Sequence, residues 1–266
     1  KQQILKYYKN QNIIHIVINN YKINNIDYDY LPLNTKCNLI ALDILFICLP
    51  DEIIKYYRNI FYKFDISVSQ IICSSYAKVK TYEKNFLPYE NVTFINVGYN
   101  ETSIITYSNN KIICLNVLPI GGNHITNDIS KLLKIDLKQA ENIKINFNKK
   151  ESYLIDKGLS HKFLQQIIFA RAEEIIKMCT QSIKLSSLIT NSSKVVFMGE
   201  GSKILDNQCK DKISSSHDAY FLEEKTEDIC RAGFTLGMDL NRDEVMVMPK
   251  KLKKQGFFEK FFHFFN

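Results

Sequence analysis

Arginine is scarce in this sequence. Only four of the 35 basic residues are arginine, and the rest are lysine in a chain rich in Asn, Ile, Tyr and Phe, residue types that share A/T-rich codons. A sequence-specific nucleic-acid reader normally uses more guanidinium groups, because arginine contacts phosphate and guanine through two parallel hydrogen bonds. We therefore attribute much of the net charge of +7 to codon composition and expect no nucleic-acid partner.

Paired cysteine motifs and long apolar runs are also missing. The seven cysteines are odd in number, form no Cys-x-x-Cys pair, and several lie in apolar runs. This pattern is typical of buried thiols in a reducing compartment rather than of disulfides or a zinc site, so we expect no metal site built from cysteine. No run approaches the roughly 18 apolar residues that a membrane-spanning helix needs. Any contact with a membrane would therefore be made at its surface.

The chain is nevertheless long and apolar enough for a sizeable core. Its 266 residues are 45% hydrophobic, which suits one large domain or two or three small subdomains. It begins with Lys1, and an initiator methionine is not normally removed before lysine, so we expect a piece of a longer chain.

Apolar periodicity predicts mixed strands and helices. Residues 12–18 and 39–49 read as strands, and "PDEIIKYYRNIFYKF" after them reads as a helix, which together make a small α+β unit. A second helix is expected over residues 67–80. The segments "NVTFINVG", "TSIITY" and "IICLNVLPI" then read as three strands, the last two joined by the hairpin turn "SNNK".

The C-terminal half continues this alternation. A long helix is expected over residues 160–189, capped by Ser160. The stretch "SKVVFMGEGSKILD" reads as a strand, a Gly-x-Gly-Ser turn and a helix start, and "TEDICRAGFTLGMDL" as a last helix. No internal repeat appears.

Two strand-glycine-helix junctions are candidates for ligand binding. One is Gly121-Gly122, where we expect the glycines to end a strand, Thr126 to be the N-cap of one helix that runs to Lys144, and Asp128 to lie in its first turn. The other is the turn 199–202. Backbone amides at such junctions can point at an anion or a ribose, and glycine allows a close approach.

Glu141 and Lys144 lie three residues apart on one face of the predicted helix. Considered alone, they are most simply a solvated pair that contributes a few tenths of a kcal/mol.

The C-terminal tail "KKLKKQGFFEKFFHFFN" has the pattern of a helix that lies in a membrane interface. At about 100° per residue its aromatic side chains gather on one side of the helix, behind a run of lysines. The residues expected to contact the membrane are Lys253, Lys254, Phe257, Phe258, Phe261, Phe262, Phe264 and Phe265. The alternative is a terminal helix docked on the protein's own core.

These motifs together resemble one family. "VLPIGGNHITNDISKLLKIDLKQAENIK" resembles the core signature of FtsA, the bacterial actin-like protein that tethers the FtsZ ring to the membrane during cell division. Further similarities follow in chain order: "IIHIVINNY", "SSYAKV", the second phosphate loop "FINVGYNETSII", the subdomain 2B helix "FARAEEIIKM", the adenosine turn "VVFMGEGSKI" and the membrane-targeting tail. The resemblance implies an α/β, actin-like (ribonuclease H-like) fold with a partial FtsA-type insertion subdomain and a C-terminal amphipathic helix.

The resemblance also implies a domain layout. The expected parts are a partial 1C-like insertion subdomain (1–66), a 1A-like connecting helix and loop (67–90), subdomain 2A (91–145 and 191–240), subdomain 2B (146–190), a linker (241–251) and a membrane-targeting helix (252–266).

In actin-like folds these motifs surround a nucleotide, so the resemblance implies ATP and Mg²⁺ as cofactors. Carried onto this chain, it places Gly98 and Thr102 near the phosphates, Gly122, Glu141 and Lys144 around the cleft base, ribose and adenine, and Gly199, Gly201 and Ser202 near the adenosine.

Departures from the family pattern predict a degenerate site. The second phosphate loop usually reads Asp-x-Gly-Gly-Gly-Thr-Thr, and here Asn96 replaces the carboxylate that would help hold Mg²⁺, while Tyr99 and Glu101 add bulk and negative charge. Glu200 replaces the second glycine of the adenosine turn, and the first phosphate loop belongs to an N-terminal region that this sequence lacks. We therefore expect weak or lost ATP binding and no enzymatic activity.

The implied partners are FtsZ, further copies of the chain in an actin-like protofilament, anionic membrane lipids and other divisome proteins, at the cytoplasmic face of the bacterial inner membrane at the division site. Arg171 and Glu174, on the expected 2B helix, are candidate partner-binding residues, although an i,i+3 surface pair is their simpler interpretation.

Two alternatives stay open. One is a nucleotide-dependent enzyme of the same superfold, such as a sugar kinase or a chaperone-type ATPase, which the replaced aspartate disfavours because phosphoryl transfer needs a metal-binding carboxylate. The other is an actin-like pilus-assembly adaptor, which the phenylalanine-rich tail disfavours.

Overall fold

The computed structural model describes residues 9–147, 160–185, 193–205, 210–211 and 218–238. In chain order the strands are β1 (Gln11–Ile23), β2 (Ile26–Tyr28), β3 (Ile40–Pro50), β4 (Asn91–Val97), β5 (Thr102–Ser108), β6 (Lys111–Leu118), β7 (Ser193–Met198) and β8 (Asp218–Phe221). The α-helices are α1 (Asp51–Tyr62), α2 (Ser74–Tyr82), α3 (Gly122–Leu133), α4 (Leu137–Asn146), α5 (His161–Leu185) and α6 (Thr226–Met238), and short 3₁₀ helices cover Glu83–Phe86 and Glu200–Ile204.

The larger sheet has the strand order β6-β5-β4-β7-β8. Strands β4, β5 and β6 form an antiparallel meander, whereas β4, β7 and β8 run parallel. The turn between β5 and β6 has positive φ angles at Asn109 (49°) and Asn110 (63°), as a tight hairpin requires. This confirms the predicted hairpin. The parallel step from β6 back to β7 contains helices α3, α4 and α5, which cross over the sheet.

Both faces of this sheet are covered. On one face Tyr76 and Val79 of α2 pack in a cluster with Phe94 of β4. On the other, Ala172 and Ile175 of α5 pack in a second cluster with the central strands. Burial on both sides explains why β4 is a nearly unbroken buried run in "NVTFINV".

The smaller sheet is antiparallel, with the order β2-β1-β3, and α1 follows it directly. Its inward residues Ile14, Val17 and Ile47 belong to the same hydrophobic cluster as α2 and β4. The side chain of Asn19 also donates a hydrogen bond of 2.7 Å to the carbonyl of Ile112 on β6. The predicted α+β unit is therefore present, and its core is continuous with that of the larger sheet.

The predicted helix over residues 67–80 was wrong in its first half. Helix α2 begins only at Ser74, and Cys73, with a ψ of 116°, is still extended. The amide of Cys73 donates to His15 Nε2 at 3.0 Å, so a tertiary hydrogen bond holds the chain extended up to the start of the helix.

The predicted start of the next helix was also wrong. Helix α3 begins at Gly122, the strand before it ends at Leu118, Thr126 lies inside the helix, and Asp128 lies in its second turn. The prediction of a single helix to Lys144 is wrong, because Lys134 takes a left-handed conformation (φ 54°, ψ 44°) and ends α3. Asp136 then caps α4 by accepting from the amide of Gln139 at 2.9 Å.

The start of α5 agrees with the sequence prediction, whereas one short strand does not. Ser160 Oγ accepts from the amide of Phe163 at 3.3 Å, which confirms the predicted cap of α5. Strand β8, only four residues long, was not predicted. None of the helices in the described ranges is both long enough and apolar enough to cross a membrane.

Candidate functional site

Three glycine-containing turns meet around a cavity of about 510 Å³. They are the β4–β5 turn, the start of α3 and the 3₁₀ turn after β7, and helix α4 closes the side. The cavity is lined by Gly98, Tyr99, Gly122, Ile125, Glu141, Lys144, Ile145, Glu200, Gly201, Lys203 and Ile204. Five residues assigned to nucleotide binding by resemblance thus come together, although they lie far apart in the sequence.

Packing between the turns itself requires some of the glycines. A Cβ atom on Gly121 would lie 2.6 Å from the carbonyl oxygen of Gly98, and one on Gly201 would lie 2.9 Å from the same atom. Gly199 has a φ of +93°, a backbone conformation that residues with a side chain rarely adopt. A Cβ atom added there would lie 2.4 Å from the carbonyl oxygen of Val97. Gly122 is different, since the nearest atoms to its Cβ would be 3.6 Å away.

The amides at the start of α3 are already paired. Gly122 N donates to the carbonyl of Gly98 at 2.9 Å, and Asn123 N donates to the carbonyl of Tyr99 at 2.7 Å. Gly121 N donates to His124 Nδ1 at 3.2 Å. A helix N-terminus binds an anion through unpaired amides. Here the backbone of the β4–β5 turn occupies these amides, and the same contacts explain why no Thr126 cap is needed.

Lys144 lies at the centre of a hydrogen-bonded group on the cavity wall. Its Nζ donates to Glu141 Oε2 at 2.7 Å, to Thr126 Oγ1 at 2.8 Å and to the carbonyl of Gly122 at 3.1 Å. The hydroxyl of Thr126 also donates to Glu141. Above the ammonium, the ring of Tyr99 has its centroid 5.5 Å from Nζ. The simple solvated pair expected from the sequence alone is therefore wrong for Lys144, which is buried.

The rest of the cavity wall is mostly apolar. Ile125, Ile145 and Ile204 contribute aliphatic surface, and Tyr99 contributes an exposed aromatic ring. At the rim, Lys203 Nζ donates to Glu200 Oε1 at 2.7 Å. The cavity therefore combines apolar walls with cations that are each paired to a carboxylate.

Two hydroxyls assigned to the site by resemblance point elsewhere. Thr102 is fully buried at the start of β5, and its Oγ1 donates to the carbonyl of Ile120 at 2.7 Å. Ser202 Oγ donates to the carbonyl of Gly199 at 2.7 Å. Both hydroxyls are therefore hydrogen bonded to backbone carbonyls nearby, and neither residue lines the cavity.

A buried polar cluster behind the cavity was missed in the sequence. Lys78 of α2 forms an ion pair of 2.7 Å with Glu224, and its Nζ also donates to Asn96 Oδ1 at 2.8 Å. Asn96 Nδ2 donates to Ser75 Oγ at 2.9 Å, and the hydroxyls of Ser75 and Ser103 are hydrogen bonded at 2.6 Å. One signal was available, because Lys78 interrupts the apolar part of "SSYAKV". Its partner could not be identified from the sequence.

Arg171 and Glu174 lie on α5, as expected. Arg171 Nη1 contacts Glu174 at 2.5 Å, but its Nε and Nη2 also donate to the two carboxylate oxygens of Asp128 at 2.6 and 3.0 Å. The hydrogen bond with Asp128 is the main reason why the pKa of Arg171 is raised. The arginine thus joins α5 to α3, a structural role beyond the i,i+3 pair.

The expected membrane-binding residues and linker, 241–266, lie outside the described residues. Within the part of the chain that is described, no group of three or more His, Cys, Asp or Glu side chains could hold a metal ion.

Comparison with protein families identifies the chain's relatives. The family model "Cell division protein FtsA" matches residues 93–195, which carry the β4–β6 meander, helices α3 to α5 and most of the cavity. FtsA of Streptococcus pneumoniae serotype 2 is 26% identical over 174 residues, FtsA of Buchnera aphidicola subsp. Baizongia pistaciae is 33% identical over 96, and FtsA of Neisseria meningitidis serogroup B is 45% identical over 56. These matches cover 59%, 36% and 21% of this chain, and 37%, 22% and 14% of the respective relatives.

Comparison with solved structures concerns the fold. A PilM-PilN type IV pilus biogenesis complex superposes with a TM-score of 0.60 at 12% identity, covering 87% of this chain and 66% of the other. MreB5 of Spiroplasma citri bound to ADP gives a TM-score of 0.53 at 15% identity, covering 71% and 65%. At such identities the likeness shows the fold alone. The chain is therefore similar to FtsA over residues 93–195, and its fold is α/β and actin-like.

Proposed function

We propose that the protein is a non-enzymatic cell-division adaptor that tethers the FtsZ ring to the cytoplasmic membrane, self-associates in an actin-like manner, and binds ATP weakly or not at all. One observation carries the proposal: the FtsA match over residues 93–195 occurs in a chain that ends in six phenylalanines behind a run of lysines. The matched part spans less than two fifths of the length of these relatives.

The contacts around the cavity support weak nucleotide binding. The amides of Gly122 and Asn123, which would face a phosphate, donate to the backbone of the β4–β5 turn. Lys144 Nζ has three protein acceptors, so a ligand phosphate would have to displace one of them. Tyr99 lines the cavity from the turn that would approach the phosphates, and Glu101 adds a negative charge to that turn. Each contact lowers the gain from binding a triphosphate.

The tail composition supports reversible membrane attachment. Full burial of a phenylalanine contributes about 1.5 to 3 kcal/mol, and half-immersion in the interface contributes about half of that. Each lysine near an anionic surface adds about 1 kcal/mol. A helix this short is marginally stable in water and has to fold as it binds, which offsets part of the gain. The anchor is therefore reversible, and assembly of several copies strengthens it.

Self-association and FtsZ binding complete the proposed role. We place the FtsZ contact on the region around α5, where the resemblance places subdomain 2B, with Arg171 and Glu174 as candidate contact residues. Arg171 already pairs with Asp128. Glu174 is the more exposed of the two side chains, so it is the more accessible to a partner. The proposed location is the cytoplasmic face of the inner membrane at the division site, together with other divisome proteins.

Flotation with anionic lipid vesicles tests the anchor. The chain as given is compared with one that ends at Pro249, at low and at high salt, with and without purified FtsZ. We expect only the longer chain to float, salt to weaken flotation without abolishing it, and FtsZ to float only when the longer chain is present. Equal flotation of both chains, or of neither, would contradict the anchor.

A matched pair of substitutions tests whether the aromatic side of the tail makes the contact. At about 100° per residue, Phe261 lies near the middle of the aromatic arc and His263 on the opposite side. Phe261→Gln is expected to reduce vesicle binding severalfold, whereas His263→Gln leaves it almost unchanged. Equal effects would indicate that the tail does not bind as a one-sided helix.

The alternative of an ATPase is tested by turnover. A chain that hydrolyses ATP at rates above about 1 s⁻¹, within the ordinary range for enzymes, would contradict a non-enzymatic adaptor. The pilus-assembly alternative has the structural similarity to a PilM-PilN complex in its favour, but that similarity is in fold alone, whereas the sequence matches are to FtsA.

A further inference from the structure

The buried cluster behind the cavity carries one positive and one negative charge. Lys78 Nζ lies 2.7 Å from Glu224 Oε2, and the two side chains are only 3% and 4% exposed. A buried charge is strongly unfavourable unless an opposite charge and hydrogen bonds accompany it. Here the ammonium and the carboxylate satisfy that condition for each other, so the cluster is electrically balanced without an added ion.

Asn96 occupies the position where the family pattern has an aspartate, and its carboxamide is fully engaged. Oδ1 accepts from Lys78 at 2.8 Å, and Nδ2 donates to Ser75 Oγ at 2.9 Å. Magnesium is usually held by carboxylate oxygens and retains several waters. A neutral amide bonded to an ammonium does not supply such a ligand, so the residues at this position do not fit a magnesium ion.

The cluster supports the cavity from behind. Glu224 Oε2 accepts from the amide of Gly199 at 2.7 Å, and Gly199 begins the turn whose Gly201 lines the cavity. A Cβ on Gly199 would lie 2.6 Å from Asn96 Oδ1, so the turn rests directly on the carboxamide. Asn96 is in turn two residues before Gly98, on the opposite wall. The Lys78 cluster therefore joins the two turns that shape the cavity.

We propose that Lys78 is the protein's own counter-cation behind the cavity, where it takes the place of a divalent metal, so that no metal ion binds at this cluster. The ammonium neutralises Glu224, and with Asn96 in place of a carboxylate there is no excess negative charge for a second cation to balance. A divalent ion beside the ammonium would be repelled. The exchange of aspartate for asparagine and the presence of the buried lysine thus compensate each other.

One acceptor is left for a cation. Glu224 Oε1 is buried and has no hydrogen-bond partner among the described residues. A metal that bound despite Lys78 would attach there, so Glu224 provides the control that identifies the site.

Manganese binding, followed by the loss of the free Mn²⁺ signal in electron paramagnetic resonance, tests the inference. For the chain as given we expect no stoichiometric uptake up to millimolar Mn²⁺, with or without ADP. The double variant Lys78→Ser/Asn96→Asp removes the ammonium and adds a carboxylate, and we expect it to bind Mn²⁺ at least tenfold more tightly. The matched control is Lys80→Ser, which replaces a more exposed lysine of the same helix. This variant is expected to bind no Mn²⁺.

Two results would overturn the inference. One is stoichiometric Mn²⁺ uptake by the unmodified chain that Glu224→Gln abolishes. The other is a double variant that is folded by circular dichroism and still takes up no Mn²⁺. If the double variant does not fold, the measurement on the unmodified chain with its Glu224→Gln control decides the question. Neither result bears on membrane tethering, because the inference concerns the cavity alone.

Discussion

Two lysine-glutamate pairs of equal length lie on opposite sides of the cavity wall. Lys78–Glu224, behind the wall, and Lys144–Glu141, on its surface, both have an N–O distance of 2.7 Å. The side chains of the first pair are 3% and 4% exposed, and those of the second are 9% and 28% exposed. Geometry alone does not distinguish the two pairs, but solvation does.

The difference shows that the surroundings of an ion pair determine the cost of breaking it. In the Lys144–Glu141 pair, water can reach Glu141, which is 28% exposed, so its charge remains solvated when Lys144 is lost. In the buried pair, loss of Lys78 leaves a buried carboxylate without its counter-charge. The same chemical group therefore has a structural role in one place and remains partly available to a ligand in the other.

Removing the buried lysine should have the largest effect. Lys78→Met leaves Glu224 buried and unpaired, and we expect the free energy of unfolding to fall by about 3–5 kcal/mol. Urea denaturation followed by circular dichroism measures this loss. The double variant Lys78→Met/Glu224→Gln, which removes both charges, should recover most of it. A single variant within about 1 kcal/mol of the parent would show that the cluster is solvated.

Adding one methyl group between the turns should have the next largest effect. Gly121→Ala places a Cβ 2.6 Å from the carbonyl oxygen of Gly98, and we expect a loss of about 1–3 kcal/mol. Gly122→Ala is the matched control, because its Cβ would find its nearest atoms at 3.6 Å and should be nearly neutral. The two melting temperatures give the comparison, and equal shifts would mean that the turns are not packed as described.

Removing Lys144 should cost less than removing Lys78, because its partner Glu141 is more exposed than Glu224. Lys144→Met breaks hydrogen bonds to Glu141, Thr126 and the carbonyl of Gly122, and we expect a loss of about 1–2 kcal/mol because Glu141 regains water. The same urea titration measures it. A loss as large as that of Lys78→Met would remove the distinction between the two pairs.

The smallest expected effect is on the reactivity of the Cys73 thiol. Burial raises the pKa of Cys73, next to the buried cluster, to about 11 from 9.0. Its thiolate at pH 8 should therefore be about a hundredfold scarcer than that of an ordinary thiol, and its modification by Ellman's reagent correspondingly slower. Exposed Cys37 is the internal reference, with Cys73→Ala to assign the slow phase. Equal rates would mean that solvent reaches this region.

The same shift has a pH consequence. Because the folded-state pKa of Cys73 is raised, the stability it contributes is fully present below pH 9 and is lost as the pH rises towards 11. Urea midpoints measured from pH 8 to pH 10 should decline less steeply in Cys73→Ala than in the parent.

Local patterns predicted much of the fold. The meander β4 to β6 follows from short apolar runs separated by turn residues, and Asn109-Asn110 identifies its hairpin, because asparagine tolerates positive φ. The glycines that the sequence singled out also come together, since Gly98, Gly122 and Gly201 line one cavity. The start of α3 was predicted wrongly, because its first amides donate to the β4–β5 turn rather than to the side chain of Thr126.

The sequence by itself determined the alternation of strands and helices, the positions of the glycine turns and the aromatic tail, because each depends on residues close together in the chain. Only the tertiary structure decided that Lys78 meets Glu224, that Thr102 and Ser202 face backbone, and that the amides of α3 are occupied. The physical reason is that the partner of a buried polar group is chosen by the packing of distant elements. Local propensity specifies where a helix or turn can form, and packing specifies which charges and amides remain free for a ligand.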